Sequence, residues 1–249
     1  MTMTRAQAIE CFHLCFLGVL RTRLDERRYI LKGGANLRYF FSGVRYSEDI
    51  DLDMTGGAPW GHEAQVDRTL ASDALRLTLR AVRIRVIADG ISKPKQTATT
   101  RRWKVALEVA GDSDPLRTKV EFSDRNGDPR HRLDSVADDV VTPYALRPPS
   151  VQHYLLAPAT EQKVVALADR SETQARDVFD LDMLFRRAPL EADSVPAEVR
   201  TRAAAAATRL PYEAFLDQVV PFLEPAVAAA YDRRAWEQMQ AYVIGELHR

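Results

Sequence analysis

This chain of 249 residues has few cysteines and few lysines, a formal net charge of zero and no long apolar run. Its two cysteines, Cys11 and Cys15, are too few for a disulfide framework, and their i,i+4 spacing on an apolar segment is typical of a helix core. The N-terminal apolar run of about ten residues is too short to span a membrane, and no signal-peptide cleavage pattern accompanies it. We therefore expect a cytoplasmic protein with no membrane partner.

The two signs of charge cancel, since 35 lysines and arginines face 35 aspartates and glutamates. This balance argues against a nucleic-acid binder that relies on a basic tail, but it leaves room for a local basic patch. Three groups of cations are present: Arg21, Arg23, Arg27 and Arg28; Arg80, Arg83 and Arg85; and Arg101, Arg102 and Lys104. A solvated face is the simpler interpretation of each group. The alternative for the last is an RNA backbone contact with Trp103 stacked on a base.

The pattern of apolar residues predicts a mixed first half and a helical second half. Helices are expected over residues 5–24 and 63–79, strands over 81–88, 103–109 and 116–122, and a polar loop over 124–139. Two consecutive prolines, Pro148 and Pro149, interrupt regular structure and mark the best boundary. We predict an α+β protein with two lobes, a mixed-sheet lobe over residues 1–148 and a mainly helical lobe over residues 149–249.

The segment from Tyr29 to Met54, YILKGGANLRYFFSGVRYSEDIDLDM, carries the strongest chemical signal. Side chains alternate faces along a strand, so Asp49, Asp51 and Asp53 would share one face while the apolar residues between them enter a core. Like charges side by side repel, and a divalent cation would relieve that repulsion. The pattern predicts a magnesium–phosphate site with Asp49 and Asp51 as ligands. Asp53 is expected to face solvent where the strand ends.

A glycine pair, Gly33 and Gly34, lies between the apolar strand and a predicted helix. Glycines at such a junction let a phosphate approach the backbone N–H groups at the positive end of the helix. Both residues are therefore candidate nucleotide-binding positions.

The glycine pair followed by an acidic strand resembles the signature of the polymerase-β-like nucleotidyltransferase superfamily. The fuller form, LKGGANLR and then RYSEDIDLD, resembles the AbiEii/MenT branch, the toxin halves of bacterial toxin–antitoxin pairs. The resemblance covers most of residues 29–187. It implies a nucleotidyltransferase lobe, a helical lobe that completes the nucleotide cleft, and Mg²⁺, or Mn²⁺ in its place. It also implies a nucleoside triphosphate donor, a tRNA 3′ end as acceptor, loss of pyrophosphate and a cognate antitoxin protein.

The resemblance also implies a third carboxylate on a later strand, as a metal ligand or as the base for the attacking hydroxyl. Glu121 fits because it alternates with apolar neighbours, and Glu108 on the preceding strand is the competing candidate. Many superfamily members carry serine at the second glycine position. Asn36 or Ser47 would replace that hydroxyl here, although Ser47 would equally serve to cap the turn before Asp49.

Arg38 and Arg45 would reach phosphates if they are not surface residues. In the second lobe, a lysine-bearing helix precedes an RDxxD segment, which is similar to a motif of the same family. The resemblance implies that Lys163 clamps the triphosphate and that Asp177 or Asp180 orients it through an ion pair.

Two other functions compete with transfer to tRNA. In the first, the same nucleotidyl transfer has an antibiotic or a protein hydroxyl as its acceptor. A closed acidic pocket would favour this function, whereas a basic groove would favour transfer to tRNA. The second is a non-catalytic nucleotide-binding module. Loss of the third carboxylate or of Lys163 from the site would favour that module.

Overall fold

The computed structural model describes residues 3–55, 61–124, 129–191 and 193–249. The chain divides into two compact units, residues 1–40 with 46–154 and residues 41–45 with 155–249. The first contains the sheet and the second is helical, which confirms the predicted α+β class. The division falls after Tyr154, later than the predicted boundary at residue 148, because the last strand of the first unit pairs with the sheet.

The sheet of the first unit has eight strands among the described residues. They are β1 (Tyr29–Lys32), β2 (Ile50–Met54), β3 (Ile84–Val86), β4 (Ser92–Gln96), β5 (Thr100–Val109), β6 (Leu116–Ser123), β7 (His131–Ser135) and β8 (Ser150–Tyr154). Their order is β3-β5-β6-β2-β1-β8-β7, with β4 paired to β5. The pairs β2–β6 and β1–β8 are parallel and the others are antiparallel, so the sheet is mixed.

Helices cover one face of this sheet and enclose the core. The first unit contains α1 (Arg5–Leu20), α2 (Gly33–Phe40), α3 (Glu63–Leu70), α4 (Asp73–Ala81) and α5 (Asp138–Val141). Helix α1 contacts α3, α4 and β6, and nearly all of its residues are buried. Cys11 and Cys15 are free and buried, as their spacing predicts.

Three local features differ from the sequence-based expectation. The helix predicted over residues 63–79 is divided into α3 and α4, because the Ser72 hydroxyl accepts a hydrogen bond from the Leu75 N–H and starts a new helix. Strand β4 was not predicted. The loop predicted over residues 124–139 contains β7, which pairs with β8, while residues 125–128 lie outside the described residues.

The second unit packs its helices around small and aromatic side chains. Its helices are α6 (Leu156–Asp169), α7 (Ala175–Arg187), α8 (Ala197–Thr208), α9 (Tyr212–Gln218), α10 (Pro225–Ala228) and α11 (Arg233–Leu247). Buried alanines of α8 lie where this helix meets α6 and α11. Phe215 packs against Trp236 with ring centroids 5.1 Å apart. No helix of the described residues is long and apolar enough to cross a membrane.

Candidate active site

Strand pairing gathers the acidic residues on the sheet face opposite the core. In the parallel pair β2–β6, Asp51 lies opposite Glu121 and Asp53 lies opposite Ser123. On the other side of β2, Lys32 of β1 lies opposite Asp51. Residues that pair directly project from the same face of a sheet. The register therefore places carboxylates from β2 and β6 side by side, as the alternation in the sequence predicts.

Gly33, at the junction between β1 and α2, lies directly against the Asp51 carboxylate. Strand β1 runs without a loop into α2, and Gly33 at the junction has a φ of +68°, a conformation that favours glycine. A methyl group on Gly33 would lie 3.1 Å from Oδ2 of Asp51. The first N–H groups of a helix, here from Gly33 and Gly34 onward, have no partner within the helix. A helix N-terminus, whose N–H groups are suited to an anion, and a carboxylate, which is suited to a cation, are thus adjacent.

Asp49 precedes β2 and is largely buried. Its Oδ1 accepts a hydrogen bond of 3.0 Å from the Lys119 backbone N–H, and its Oδ2 lies 2.6 Å from Lys119 Nζ. Burial raises the pKa of Asp49 to about 6, and Lys119 only partly offsets this effect. The folded protein thus holds a carboxylate here whose charged form gains from a nearby cation.

Asp53 is buried, so the expectation that it faces solvent is wrong. It is 4% exposed, forms an ion pair with Lys32 and accepts a hydrogen bond of 2.9 Å from the Tyr154 hydroxyl. Lys32 reaches it because β1 and β2 pair antiparallel and bring the two side chains to the same face. Asp53 therefore links β2 to β1 and β8.

Register favours Glu121 over Glu108 as the third carboxylate. Glu121 is half-buried beside Asp51 and is held by Arg102 of β5, whose Nε lies 2.6 Å from Oε2. Glu108 is exposed near the other end of β5 and forms an ion pair with Arg85. Only Glu121 lies next to the acidic residues of β2.

The donor set fits a hard cation held together with substrate phosphates. Among the described residues, no group of three or more His, Cys, Asp or Glu side chains is arranged to hold a metal ion. The predicted ligands Asp49, Asp51 and Glu121 are therefore not gathered round one point. Mg²⁺ is usually bound by one or two carboxylates, with waters and phosphate oxygens as the other ligands. Asp49 and Asp51 supply that chemistry.

Two predicted nucleotide-binding residues are engaged inside the first unit. Asn36 is fully buried, donates to the Tyr154 carbonyl at 3.1 Å, and has its Oδ1 3.1 Å from Nδ1 of His153. Ser47 donates to the carbonyl of Asp49 at 2.7 Å, which is the turn-capping alternative. These contacts fix α2 and the start of β2.

Arg38 belongs to a polar cluster that sequence reasoning missed. Its Nε donates to Glu10 at 2.9 Å, and its guanidinium lies 4.4 Å from the centre of the Tyr46 ring. Glu10 also accepts a hydrogen bond of 2.8 Å from Tyr144. A glutamate within the apolar α1 is the signal that predicts a buried partner, because buried carboxylates are paired.

The second unit contains a buried network of charges that includes the predicted Lys163, Asp177 and Asp180. Lys163 Nζ lies 2.9 Å from Asp177 and 2.6 Å from Asp180. Arg170 pairs with Asp177 at 2.8 Å, and Arg45 makes a two-point contact with Asp180 at 2.8 and 3.1 Å. The lysine and the RDxxD segment therefore meet, and Lys163 contacts both carboxylates. The network also joins residues 41–45 to α6 and α7.

The alternative in which Trp103 stacks on an RNA base is wrong. Trp103 is fully buried, and its indole N–H donates to Asp67 at 2.8 Å. Arg101 is only 2% exposed. Both side chains project toward the core face of β5, because Val120 and Phe122 lie opposite them.

Comparison with known families gives a match over most of the chain. The model of the family described as "Nucleotidyl transferase AbiEii toxin, Type IV TA system" matches residues 16–249. This match confirms the resemblance carried by the glycine pair and the acidic strand. A comparison with curated protein sequences found no match.

Three solved structures with a similar fold are from Helicobacter pylori and Mycobacterium tuberculosis. JHP933 from Helicobacter pylori is 16% identical, with a TM-score of 0.61 over 100% of this chain and 94% of that one. An H. pylori structure described as a putative nucleotidyltransferase is 18% identical, with a TM-score of 0.61 and coverage of 97% and 95%. MenT4, a nucleotidyltransferase toxin from Mycobacterium tuberculosis, is 16% identical, with a TM-score of 0.54 and coverage of 97% and 84%. At these identities the likeness is one of fold.

The conformation of Gly33 predicts a cost for any side chain there. Gly33→Ala should destabilise the protein by about 1 kcal/mol, because an alanine is strained at positive φ. Gly18→Ala is the matched control, since Gly18 lies in α1 with open space around it. That substitution should stabilise by up to about 1 kcal/mol. Urea denaturation measures both, and a Gly33→Ala protein as stable as the wild type would contradict the geometry.

The buried network predicts a large effect of Asp180 on stability. Asp180→Asn removes the buried carboxylate charge that Arg45 and Lys163 share and should cost about 3 kcal/mol or more in urea denaturation. Asp182→Asn, on the same helix, breaks a pair with the exposed Arg186 and should cost at most about 1 kcal/mol. Equal losses in the two variants would show that the network contributes little.

The difference in stability between the wild type and Asp180→Asn should depend on pH in a defined direction. Burial acts to raise the pKa of Asp180, but Arg45 and Lys163 outweigh it and lower the pKa to about 2. A lowered folded-state pKa stabilises the protein above the ordinary value of 3.8, and this stabilisation is lost as the pH falls toward about 2. The stability difference between wild type and Asp180→Asn should therefore shrink across that interval. A constant difference would contradict the assignment.

Proposed function

Because the chain belongs to the family of AbiEii nucleotidyl transferase toxins, we propose that it joins a nucleotide from a nucleoside triphosphate to an RNA acceptor and releases pyrophosphate. The acceptor in this proposal is the 3′ end of tRNA, and the reaction takes place in the cytoplasm. A cognate antitoxin protein restrains it, which the description of the family as part of a toxin–antitoxin system supports.

One observation carries the proposal for the site. Gly33, at the start of α2, lies against Asp51, and Asp51 lies opposite Glu121 in the sheet. Backbone N–H groups that bind phosphate and carboxylates that bind a cation or a proton are thus adjacent on one face. This combination is what transfer of a nucleotidyl group needs.

The triphosphate is proposed to bind at the N-terminal end of α2, where Gly33 and Gly34 present backbone N–H groups. Asp49 and Asp51 would hold Mg²⁺, or Mn²⁺ in its place. When bound, the ion neutralises charge on the phosphates and lowers the pKa of a coordinated hydroxyl. The absence of a serine at Gly34 leaves backbone groups as the phosphate ligands on this side.

Glu121 is proposed to take the proton of the attacking hydroxyl. The hydroxyl oxygen forms a bond to the α-phosphorus, the bond from that phosphorus to the bridging oxygen breaks, and pyrophosphate leaves. Arg102 holds the Glu121 carboxylate through contacts of 2.5 and 2.6 Å and so fixes its direction. A positioned carboxylate in this role typically contributes about 10²–10⁴-fold to the rate.

For the second unit, the proposal is that Lys163 contributes positive charge to triphosphate binding. The family pattern supports this role, and Asp177 and Asp180 hold the Lys163 ammonium at 2.9 and 2.6 Å. Arg45 takes part through Asp180, whose carboxylate it shares with Lys163. Asn36, Arg38 and Ser47 keep the structural roles described above.

Removal of the Asp51 charge tests the site directly. Asp51→Asn should lower transfer by at least about 10³-fold, since it removes a carboxylate on which several kcal/mol of transition-state stabilisation depend. Asp73→Asn is the matched control, because Asp73 is an exposed aspartate on α4 of the same unit. Labelled triphosphate and total tRNA give the rates, and urea denaturation shows that both variants fold. Transfer by Asp51→Asn at the wild-type rate would end the proposal for this site.

Two glutamates that are each held by an arginine allow a sharper test of the proton acceptor. Glu121→Gln should lower kcat by at least about 10²-fold with little change in KM for the triphosphate, as expected for a group needed in the transition state. Glu108→Gln removes a similar pair from an exposed position and should leave kcat near the wild-type value. The reverse order would assign the third carboxylate to β5.

A further inference from the structure

Cations line the sheet face beside the candidate site. The pairing of β4, β5 and β6 places five of these cations on the same face. We call them the outer basic strip: Lys95, Arg102, Lys104, Arg117 and Lys119. Arg102 pairs with Glu121, which places it on the face of the acidic residues. Lys104 and Lys119 pair with one another, and Arg117 precedes Lys119 by two positions on β6. Because side chains alternate along a strand, all of these lie on that face.

The strip contains two like-charged pairs across neighbouring strands. Lys95 of β4 lies opposite Arg102 of β5, and Lys104 lies opposite Lys119 of β6. Like charges directly opposite one another destabilise a sheet. Glu121 and Asp49 each neutralise one cation of a pair, and the exposed Lys95 and Lys104 are the cations that remain for an anionic partner.

Three members of the strip are exposed: Lys95, Lys104 and Arg117. The structure records no ion pair between any of them and another described residue. The other two members are held by the site itself, Arg102 by Glu121 and Lys119 by Asp49. The strip therefore combines cations open to solvent with cations that reach the acidic residues.

Strand β6 connects the outer basic strip to the candidate site. Along this strand, Arg117, Lys119 and Glu121 follow one another on the same face, each two residues apart. Successive side chains on one face repeat at roughly 6–7 Å. For an extended polyanion that lies along Arg117 and Lys119, Glu121 is therefore the next side chain on that face.

We propose that the outer basic strip binds the phosphate backbone of the RNA acceptor and brings its 3′-terminal hydroxyl to Glu121. This inference rests on the proposed function, since it assumes that RNA is the acceptor. The face positions of β4, β5 and β6 among the described residues include no aromatic side chain, because Trp103 faces the core. Binding through phosphates alone carries affinity and register but no base sequence. The strip is thus a sequence-independent track.

The test compares two double variants in which two exposed cations are replaced. Lys104→Gln with Arg117→Gln removes two cations of the strip and keeps the pairs of Arg102 and Lys119. Arg209→Gln with Arg234→Gln removes two exposed arginines of the second unit and is the matched control. Fluorescence anisotropy with labelled tRNA, and with a single strand of mixed sequence, gives the dissociation constant between about 50 and 200 mM salt.

The strip variant should bind both RNAs at least tenfold more weakly at low salt. The slope of log K against log salt should fall by about two, one for each lost phosphate contact. The control variant should bind as the wild type does. If wild-type protein binds RNA and the strip variant binds it equally well, the track is wrong and the proposed acceptor stands. If wild-type protein neither binds nor labels RNA, the proposed acceptor has failed and the track with it.

Discussion

The parallel pairing of β2 with β6 is the constraint on which the candidate site depends. It sets Asp51 opposite Glu121, and a slip of one residue would turn every side chain of β2 to the other face. The apolar partners prevent such a slip. Ile50 and Leu52 are fully buried opposite Val120 and Phe122. Each buried side chain of this size contributes about 1.5–3 kcal/mol, which outweighs the repulsion of less than about 1 kcal/mol expected for a pair of like charges on the outer face.

The carboxylates on that face are held by cations of the protein. Lys119 contacts Asp49, Lys32 contacts Asp53 and Arg102 contacts Glu121. Each cation offsets part of the repulsion between neighbouring carboxylates. The ion pairs therefore keep the acidic side chains close together and in position. The second unit uses the same chemistry for a different purpose. Its buried pairs around Asp180 join α6, α7 and residues 41–45, so their loss lowers the stability of the protein.

Features that depend on a few consecutive residues could be predicted from the sequence. The strand, the glycine pair, the helix and the acidic strand were of this kind, because φ preference and alternation act locally. The division of the helix at Ser72 and the buried state of Asp53 and Trp103 depend on partners distant in the chain. The period-two pattern of β5 places Trp103 on one face, but only its pairing with β6 shows that this face is the core.

Site residues follow the same division. Gly33, Asp49 and Asp51 belong to one short segment and were predicted from its pattern. Glu121 was favoured over Glu108 because it alternates with apolar neighbours, but only the strand register shows that Glu121 is the one that lies beside Asp51. Asn36, Arg38 and Ser47 were expected to bind phosphate because of their place near the glycine pair. Their partners, among them Tyr154 and Glu10, come from elsewhere in the chain and give them structural roles.

The most direct measurement follows both the nucleotide and the pyrophosphate that the transfer produces from the triphosphate. The protein is incubated with total tRNA, Mg²⁺ and each nucleoside triphosphate in turn, labelled once at the α-phosphate and once at the γ-phosphate. The account predicts that the α-label appears at the 3′ end of RNA and that the γ-label leaves as pyrophosphate, one for each nucleotide added. Label on a protein or on a small molecule, or release of pyrophosphate without labelled RNA, would contradict it.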